Sequence, residues 1–375
     1  LKKLLIISHT PHLDINKKSI VGWGPTVTEI NFLASHWTEV VHIACLSDMM
    51  GDDSMLPYTQ DNIRFCPIPT FGGTTIREKI NVFTQALKII RSISKELKGA
   101  THVQIRVPMG IGVYVLPLFG FLPRNFTLWV KYANNWGHVS NSLGYRFQRW
   151  ILKKDLMKCP VTINGFWPNQ SSHLKSFENP CITAEQLKVS NELIKEFKGP
   201  FRLVFAGRLE SAKGIDLMIA ALSKLPKEKI REWVFLGDGP MKDELESELK
   251  KCGIKSRILG FVSQEKVHEE LKEAHFLILP SKSEGFPKVI AESWNYGCIP
   301  ISSAVGSIPH YLEEGGNGFL LSELTANGLV ETIDRALNSN SETLLEFSQK
   351  GNKLAKKFTF EHYLDHLKDS VFCDY

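Results

Sequence analysis

The sequence predicts an α/β protein made of two parallel-sheet units in tandem. Three observations predict it. Strand-like apolar runs alternate with amphipathic helical stretches along nearly the whole chain, which is the βαβ pattern. That alternation starts afresh after a charged segment, Thr183–Gly199, that ends in Lys-Gly-Pro. A length of 375 residues is too great for one ordinary core and sufficient for two.

The elements follow in order. Lys2–Ser8 (KKLLIIS) reads as a buried first strand, His9–Pro25 as a loop and Thr26–Thr38 as a helix. Strands are expected at Val40–Cys45 and Asn62–Pro67, then a Gly-rich loop at Phe71–Thr75 and a long amphipathic helix over Ile76–Leu97. Strands His102–Val107 and Thr127–Tyr132, helix Tyr145–Lys158 and the short strand Val161–Asn164 complete a first Rossmann-like unit, residues 1–195. The end of the charged segment reads as a linker. The second unit, residues 200–355, has strand Phe201–Ala206, helix Ile215–Leu225, strand Glu232–Leu236, helix Lys242–Cys252, strand Arg257–Leu259, helix Glu265–Glu273, strand Phe276–Leu279, helix Lys288–Tyr296 and strand Ile299–Ser302. A hairpin-like turn is expected at Glu314–Gly318. The tail Phe358–Tyr375 is amphipathic.

Composition narrows the function classes. With 43% hydrophobic and 23% charged residues the chain reads as a globular, cytoplasmic protein. Leu1–Ser8 reads as a strand and not as a secretion signal. The longest apolar stretch, Val107–Leu122, is interrupted by Gly and Pro and falls short of the roughly 20 residues a span requires. It reads as a buried Gly-rich segment, with a membrane-touching loop as the alternative. The seven cysteines have no metal-ligand spacing and read as free thiols. Residues 1–198 hold 23 Lys/Arg against 14 Asp/Glu, and the remainder 22 against 26. A basic first half suits an anionic membrane surface or a phosphorylated acceptor. No nucleic-acid recognition motif is present, so nucleic acid is not expected as a partner.

The chemistry concentrates in Leu277–Glu292, LILPSKSEGFPKVIAE. A strand ends at Pro280, a polar loop carries Glu284, and a helix carries Glu292 two turns on. In an open parallel sheet, ligands bind outside the carboxyl ends of the strands. Two carboxylates there, with loop amides and a helix N-terminus, suit a ligand that offers hydroxyls and phosphates. A second motif, Ala206-Gly207-Arg208-Leu209 followed by Lys213-Gly214, puts a cation on each side of a short loop between strand and helix, an arrangement able to hold a diphosphate. Gly237-Asp238-Gly239-Pro240 fits either close backbone approach to a ligand or an ordinary turn with a helix cap.

Taken together, these segments resemble the retaining GT-B glycosyltransferases of family 4. Glu284 and Glu292 match the E-x7-E signature, and Arg208 and Lys213 match its GR…KG motif. The resemblance runs from about Phe201 to Leu321 and is weak before residue 190. It implies two Rossmann-like domains facing an interdomain cleft, with the terminal helix 358–375 packing back on the first. It implies that a nucleotide-sugar, UDP- in preference to GDP-linked, is a substrate, with no resident cofactor and no metal. In this family Arg208 and Lys213 would hold the diphosphate, with Lys288 as a third candidate cation. Glu292 would grip the ribose, and Glu284 would face the transferred sugar. Gly237 and the loop Gly260, Phe261 and Val262 would line the nucleotide through main-chain groups. Gly285 and Phe286 offer amides, whereas Pro287 stands where relatives often have Gly. The resemblance also implies a Gly-rich loop after the first strand, with Gly22 and Gly24 approaching the donor. On the acceptor side the candidates are His9, Asn134 and His138, and either histidine also fits a structural role. Asp52-Asp53 reads as an exposed loop and not as a metal-binding acidic pair. The acceptor implied is a glycan or a lipid-linked glycan at the inner face of a membrane. A GT-B nucleotide-sugar epimerase and a non-catalytic sugar-nucleotide-binding protein are the alternatives.

Overall fold

The structure is a computed structural model that describes residues 2–15, 19–47, 54–71, 81–137, 142–191, 193 and 195–372. The chain forms two compact units, Leu1–Phe177 with Leu364–Tyr375, and Glu178–Tyr363.

The first unit is built on a parallel seven-stranded sheet. Its strands are β1 (Lys3–Ile7), β4 (Glu39–Cys45), β6 (Ile63–Ile68), β7 (His102–Val107), β8 (Thr127–Tyr132), β9 (Val161–Asn164) and β10 (Leu174–Phe177), arranged β10-β9-β8-β7-β1-β4-β6. The chain winds outward from β1 to β6, returns to β7 on the other side of β1, and winds outward again. That reversal makes β1/β7 the switch point. Leu4, Leu5, Ile6 and Ile7 are all fully buried, as expected for a strand covered on both faces.

The segment expected to be a loop at residues 9–25 folds differently. It supplies β2 (His12–Ile15) and β3 (Ser19–Trp23), which join β5 (Met55–Pro57) in a small antiparallel sheet. The helix after it begins at Gly24, with Pro25 in its first turn, where the missing amide hydrogen costs nothing. The Gly-rich stretch after Val107 forms helix Gly112–Phe121, buried on one side only. Helix Ala86–Glu96 occupies part of the long helix expected before β7. The start of that helix, most of the Phe71–Thr75 loop and Asp52-Asp53 lie outside the described residues.

The second unit repeats the winding. Its parallel strands are β11 (Phe201–Ala206), β12 (Ile230–Leu236), β13 (Ser256–Ile258), β14 (Phe276–Leu279), β15 (Ile299–Ser302) and β16 (Phe319–Leu320), arranged β13-β12-β11-β14-β15-β16. The switch point lies between β11 and β14. The turn expected at 314–318 joins helix Ile308–Gly315 to β16.

The division between units falls at Phe177/Glu178, ahead of the linker expected near residue 199. The segment in between is helical over Ala184–Asn191 and is tied into the second unit. Cys181 and Ile182 donate their amides to Phe358 O at 3.0 and 3.2 Å, and Asn295 Nδ2 donates to Gln186 O at 3.2 Å. Its charge describes a solvated helix face, not a free tether.

Candidate functional site

At the switch point of the second unit, the loops after β11 and β14 lie side by side. The first runs through Arg208 and the short turn Ser211–Lys213 into helix Ile215–Ala221. Gly214, with φ +79°, sits where a Cβ would come within 2.1 Å of Pro280 O, so only glycine allows this approach. Lys282 N donates to Ala212 O at 2.9 Å, and Lys282 Nζ reaches Asp216 at 2.6 Å and Ser211 at 2.7 Å. Lys213 Nζ meets Glu284 Oε1 at 2.5 Å. A basic and an acidic residue from separate motifs are thus joined across the switch point. The Lys213 side chain is 27% exposed and that of Glu284 11%. Arg208 is 72% exposed and contacts only Glu210 among ion pairs of the described residues, at 3.3 Å.

The loops after β12 and β13 close the same edge. Gly207 N donates to Leu236 O at 2.9 Å, Leu209 N to Asp238 O at 2.9 Å, and Gly237 N to Gly260 O at 2.7 Å. A Cβ on Gly237 would lie 1.9 Å from Gly207 O. The motif Gly237–Pro240 therefore serves loop-to-loop packing, and Asp238 accepts from Gly239 N and Lys242 Nζ, both at 2.8 Å. Val262 is half-buried, and the neighbouring Phe261 projects its ring half-exposed from this edge.

Helix Lys288–Asn295 follows the acidic loop. It starts at Pro287 without a side-chain cap, and the amides of Gly285 and Phe286 donate to none of the described residues. Free amides leading into a helix N-terminus favour oxygen ligands and anions. The Phe286 ring is buried against Tyr311 and Phe358, which leaves only its backbone for recognition. Gly285 O is held by Ser307 N at 2.9 Å and Ser307 Oγ at 3.0 Å. Glu292 sits little more than one turn into the helix, not two. It is 8% exposed and accepts from Gln264 Nε2 at 3.4 Å. Burial pushes its carboxyl up to about 7, against the smaller opposing pull of Lys288. A carboxylate kept in so poorly solvated a place is destabilising unless something repays it.

In the first unit, a cavity of about 240 Å³ opens at the β1/β7 switch point, with His9, Asn134, Arg106 and Tyr145 among its walls. Behind it, Glu29 is buried between two cations. Arg106 donates to its oxygens at 3.2 and 3.3 Å, and Lys131 to both at 2.7 Å. Crowding by the pocket walls, and secondly the Arg106 charge, hold the His9 imidazole below its usual range. His138 lies outside the described residues. Gly22 and Gly24 serve packing. A Cβ on Gly22 would lie 2.3 Å from the His12 ring, and one on Gly24 2.5 Å from Ser54 O. Gly22 lies within β3, so no Gly-rich loop forms there.

Residues 190–354 match the family described as Glycosyl transferases group 1. The matched residues lie within the second unit. The chain is 29% identical over 196 residues to an uncharacterized glycosyltransferase of Methanocaldococcus jannaschii, covering 51% of this chain and 54% of that protein. It is 27% identical over 199 residues, 52% of each chain, to a Campylobacter jejuni α-1,4-N-acetyl-D-galactosaminyltransferase named for a diNAcBac-PP-undecaprenol-linked GalNAc acceptor. The chain spans about half the length of these curated relatives. Among solved structures it superposes on sucrose-phosphate synthase of Thermosynechococcus elongatus, with TM-score 0.69, 16% identity and full coverage of both chains. HepE of Anabaena in complex with UDP gives TM-score 0.68 and 14% identity, again over 100% of both chains. These likenesses establish the GT-B fold.

Within the matched residues, the structure brings Arg208, Lys213, Gly237, Gly260, Glu284, Gly285 and Lys288 to loops at one edge of the sheet or to the helix start beside it. Three residues there escaped the sequence reading. Ser281 is fully buried, with no hydrogen-bond partner for Oγ among the described residues. Gln264 is the donor to Glu292, and Lys282 ties the two switch-point loops together. Lys282 was legible as the first of the two basic residues of the acidic motif. Gln264 was not, because its partner lies 28 residues away. In the first unit Arg106 was missed, since an arginine inside an apolar strand has no local signature.

Proposed function

We propose that the chain is a family 4 glycosyltransferase that moves a sugar from a nucleotide-sugar, UDP- in preference to GDP-linked, to an acceptor hydroxyl with retention of anomeric configuration. Its place would be surface polysaccharide or glycoconjugate assembly on the cytoplasmic side of a membrane. The observation that carries this reading is the Glu292 carboxyl, buried and raised to about 7, in a helix whose preceding loop ion-pairs Glu284 with Lys213. Buried ionisable groups with perturbed pKa values cluster at functional sites.

In this reading, Glu292 accepts from the ribose hydroxyls, and the nucleobase lies by Gly260, Phe261 and Val262. The diphosphate engages Arg208, Lys213 and the amides of Gly285 and Phe286. As the C1–O bond to phosphate breaks, negative charge grows on the diphosphate, and these donors stabilise it. The acceptor oxygen bonds to C1 on the same face, and its proton passes to the departing phosphate oxygen. Glu284 supports positive charge developing on the sugar. This scheme asks for no metal. The acceptor is assigned to the pocket of His9, Asn134 and Arg106. HepE's complex with UDP and the lipid-linked substrate in the Campylobacter relative's name support the donor and acceptor classes.

The test is thermal shift against UDP, GDP, ADP and CMP, followed by product analysis with UDP-sugars. A ligand at about 100 times its Kd stabilises by about 2.7 kcal/mol, and UDP is expected to give the largest shift. No shift from any of the four nucleotides refutes the donor site. An isomerised sugar formed without acceptor would make the chain an epimerase.

A further inference from the structure

We propose that the first unit carries a docking surface for an anionic lipid bilayer, formed by helices Gly112–Phe121 and Leu143–Lys153. On the second helix, Leu143, Phe147 and Trp150 recur at helical spacing and are all exposed, Leu143 by 77% and Trp150 by 51%. The opposite face, with Gln148, Ile151 and Leu152, is the buried one. Phe121 ends the first helix 90% exposed, next to exposed Leu122. Phe121, Phe147, Trp150 and Leu156 line one apolar hollow of about 260 Å³, and the Phe147 and Trp150 rings stack with centroids 6.0 Å apart. Single exposed apolar side chains are ordinary, but a contiguous aromatic patch marks an interaction site.

Charge decides the occupant. Between Glu96 and Glu178 the sequence has ten Lys/Arg and a single acid, Asp155. Arg146, Lys153, Lys154 and Lys158 are exposed on the same helix and the turn after it, and Asp155 is engaged by Lys158 at 3.4 Å. A second copy of this chain would bring like charges together around the apolar patch. A bilayer with anionic headgroups satisfies both features. The aromatics enter the boundary between headgroups and acyl chains, while the Lys and Arg stems lie along it with their charges at the phosphates. None of the described helices is long and apolar enough to cross a membrane, so this surface would rest on the bilayer.

Flotation of the full chain with vesicles of phosphatidylcholine alone, and with phosphatidylglycerol added at roughly 7:3, tests this. The chain is expected to bind only the anionic vesicles, and less so as salt rises. Lys153→Gln with Lys154→Gln should weaken partitioning roughly twenty-five-fold, about fivefold for each cation near the surface. Phe121→Ser with Trp150→Ser should abolish it while keeping the thermal midpoint, since both side chains are exposed. Absence of binding, equal binding to both vesicles, or indifference to both variants overturns the proposal. So does a concentration-dependent dimer that the aromatic variant dissolves. Sugar nucleotides are absent from the assay, so its failure leaves the donor-site reading intact.

Discussion

Glu292→Gln separates the structural cost of the buried carboxyl from its use. In the folded chain this group titrates at about 7 in place of the ordinary 4.5, a difference worth about 3 kcal/mol. The sign follows from proton binding. Below pH 4.5 both folded and unfolded chains hold the proton and the group has no effect. As pH rises from 4.5 to 7, the unfolded chain releases the proton while the folded one keeps it, so stability falls. Above 7 the loss is complete. Glutamine has no such dependence. Urea unfolding of the variant and the parent should therefore agree most closely below pH 4.5, and the variant should be more stable by about 3 kcal/mol at pH 8. Ligand binding should run the other way. A ribose hydroxyl bonds more strongly to the charged carboxylate than to the neutral acid. With a pKa of about 7 the group is about 9% ionised at pH 6 and about 91% at pH 8. Parent affinity for UDP, taken relative to Glu292→Gln to cancel the titration of the phosphate, should rise about tenfold over that range by calorimetry. A stability difference flat from pH 5 to 8 would refute the buried titration. A pH-independent affinity ratio would refute the ribose contact.

Arg208→Ala and Lys213→Ala should each cut turnover by orders of magnitude and weaken UDP binding in calorimetry with little loss of fold, and near-parental turnover in both would reject the diphosphate assignment. Glu284→Ala should sharply lower turnover yet leave UDP binding unchanged or tighter, because Lys213 loses the partner now 2.5 Å away; weaker UDP binding would show that Glu284 serves the nucleotide. Gly214→Ala should lower the thermal midpoint and UDP affinity together, since its Cβ would meet Pro280 O at 2.1 Å and its φ of +79° disfavours any side chain. Turnover should persist in excess chelator; loss with EDTA and recovery with Mg²⁺ would overturn the charge scheme built on Arg208 and Lys213.

Strands were legible wherever burial on both faces makes an uninterrupted apolar run, as in β1, β4, β11 and β14. The acidic motif was legible because its strand, loop and helix are contiguous. Elements defined by distant partners were not. β2 and β3 were read as loop because they are short and pair with each other and with β5, not with the main sheet. Helix Ala184–Asn191 has no counterpart among the predicted elements, because the partners that tie residues 181–186 down, Phe358 and Asn295, lie more than 100 residues away.

The sequence by itself determined the α/β class, the restart of the winding, and the residue types at the candidate site, since these depend on local periodicity and on residues close together in the chain. Only the tertiary structure decided what those residues meet. It joined Lys213 to Glu284 across 71 positions, buried Glu292 deeply enough to move its titration toward neutrality, and turned Gly22, Gly24 and Gly237 from ligand-facing candidates into sites where a side chain would collide with another strand or loop. Distance, burial and excluded volume arise when separate strands and loops are brought together, and local sequence carries no measure of them.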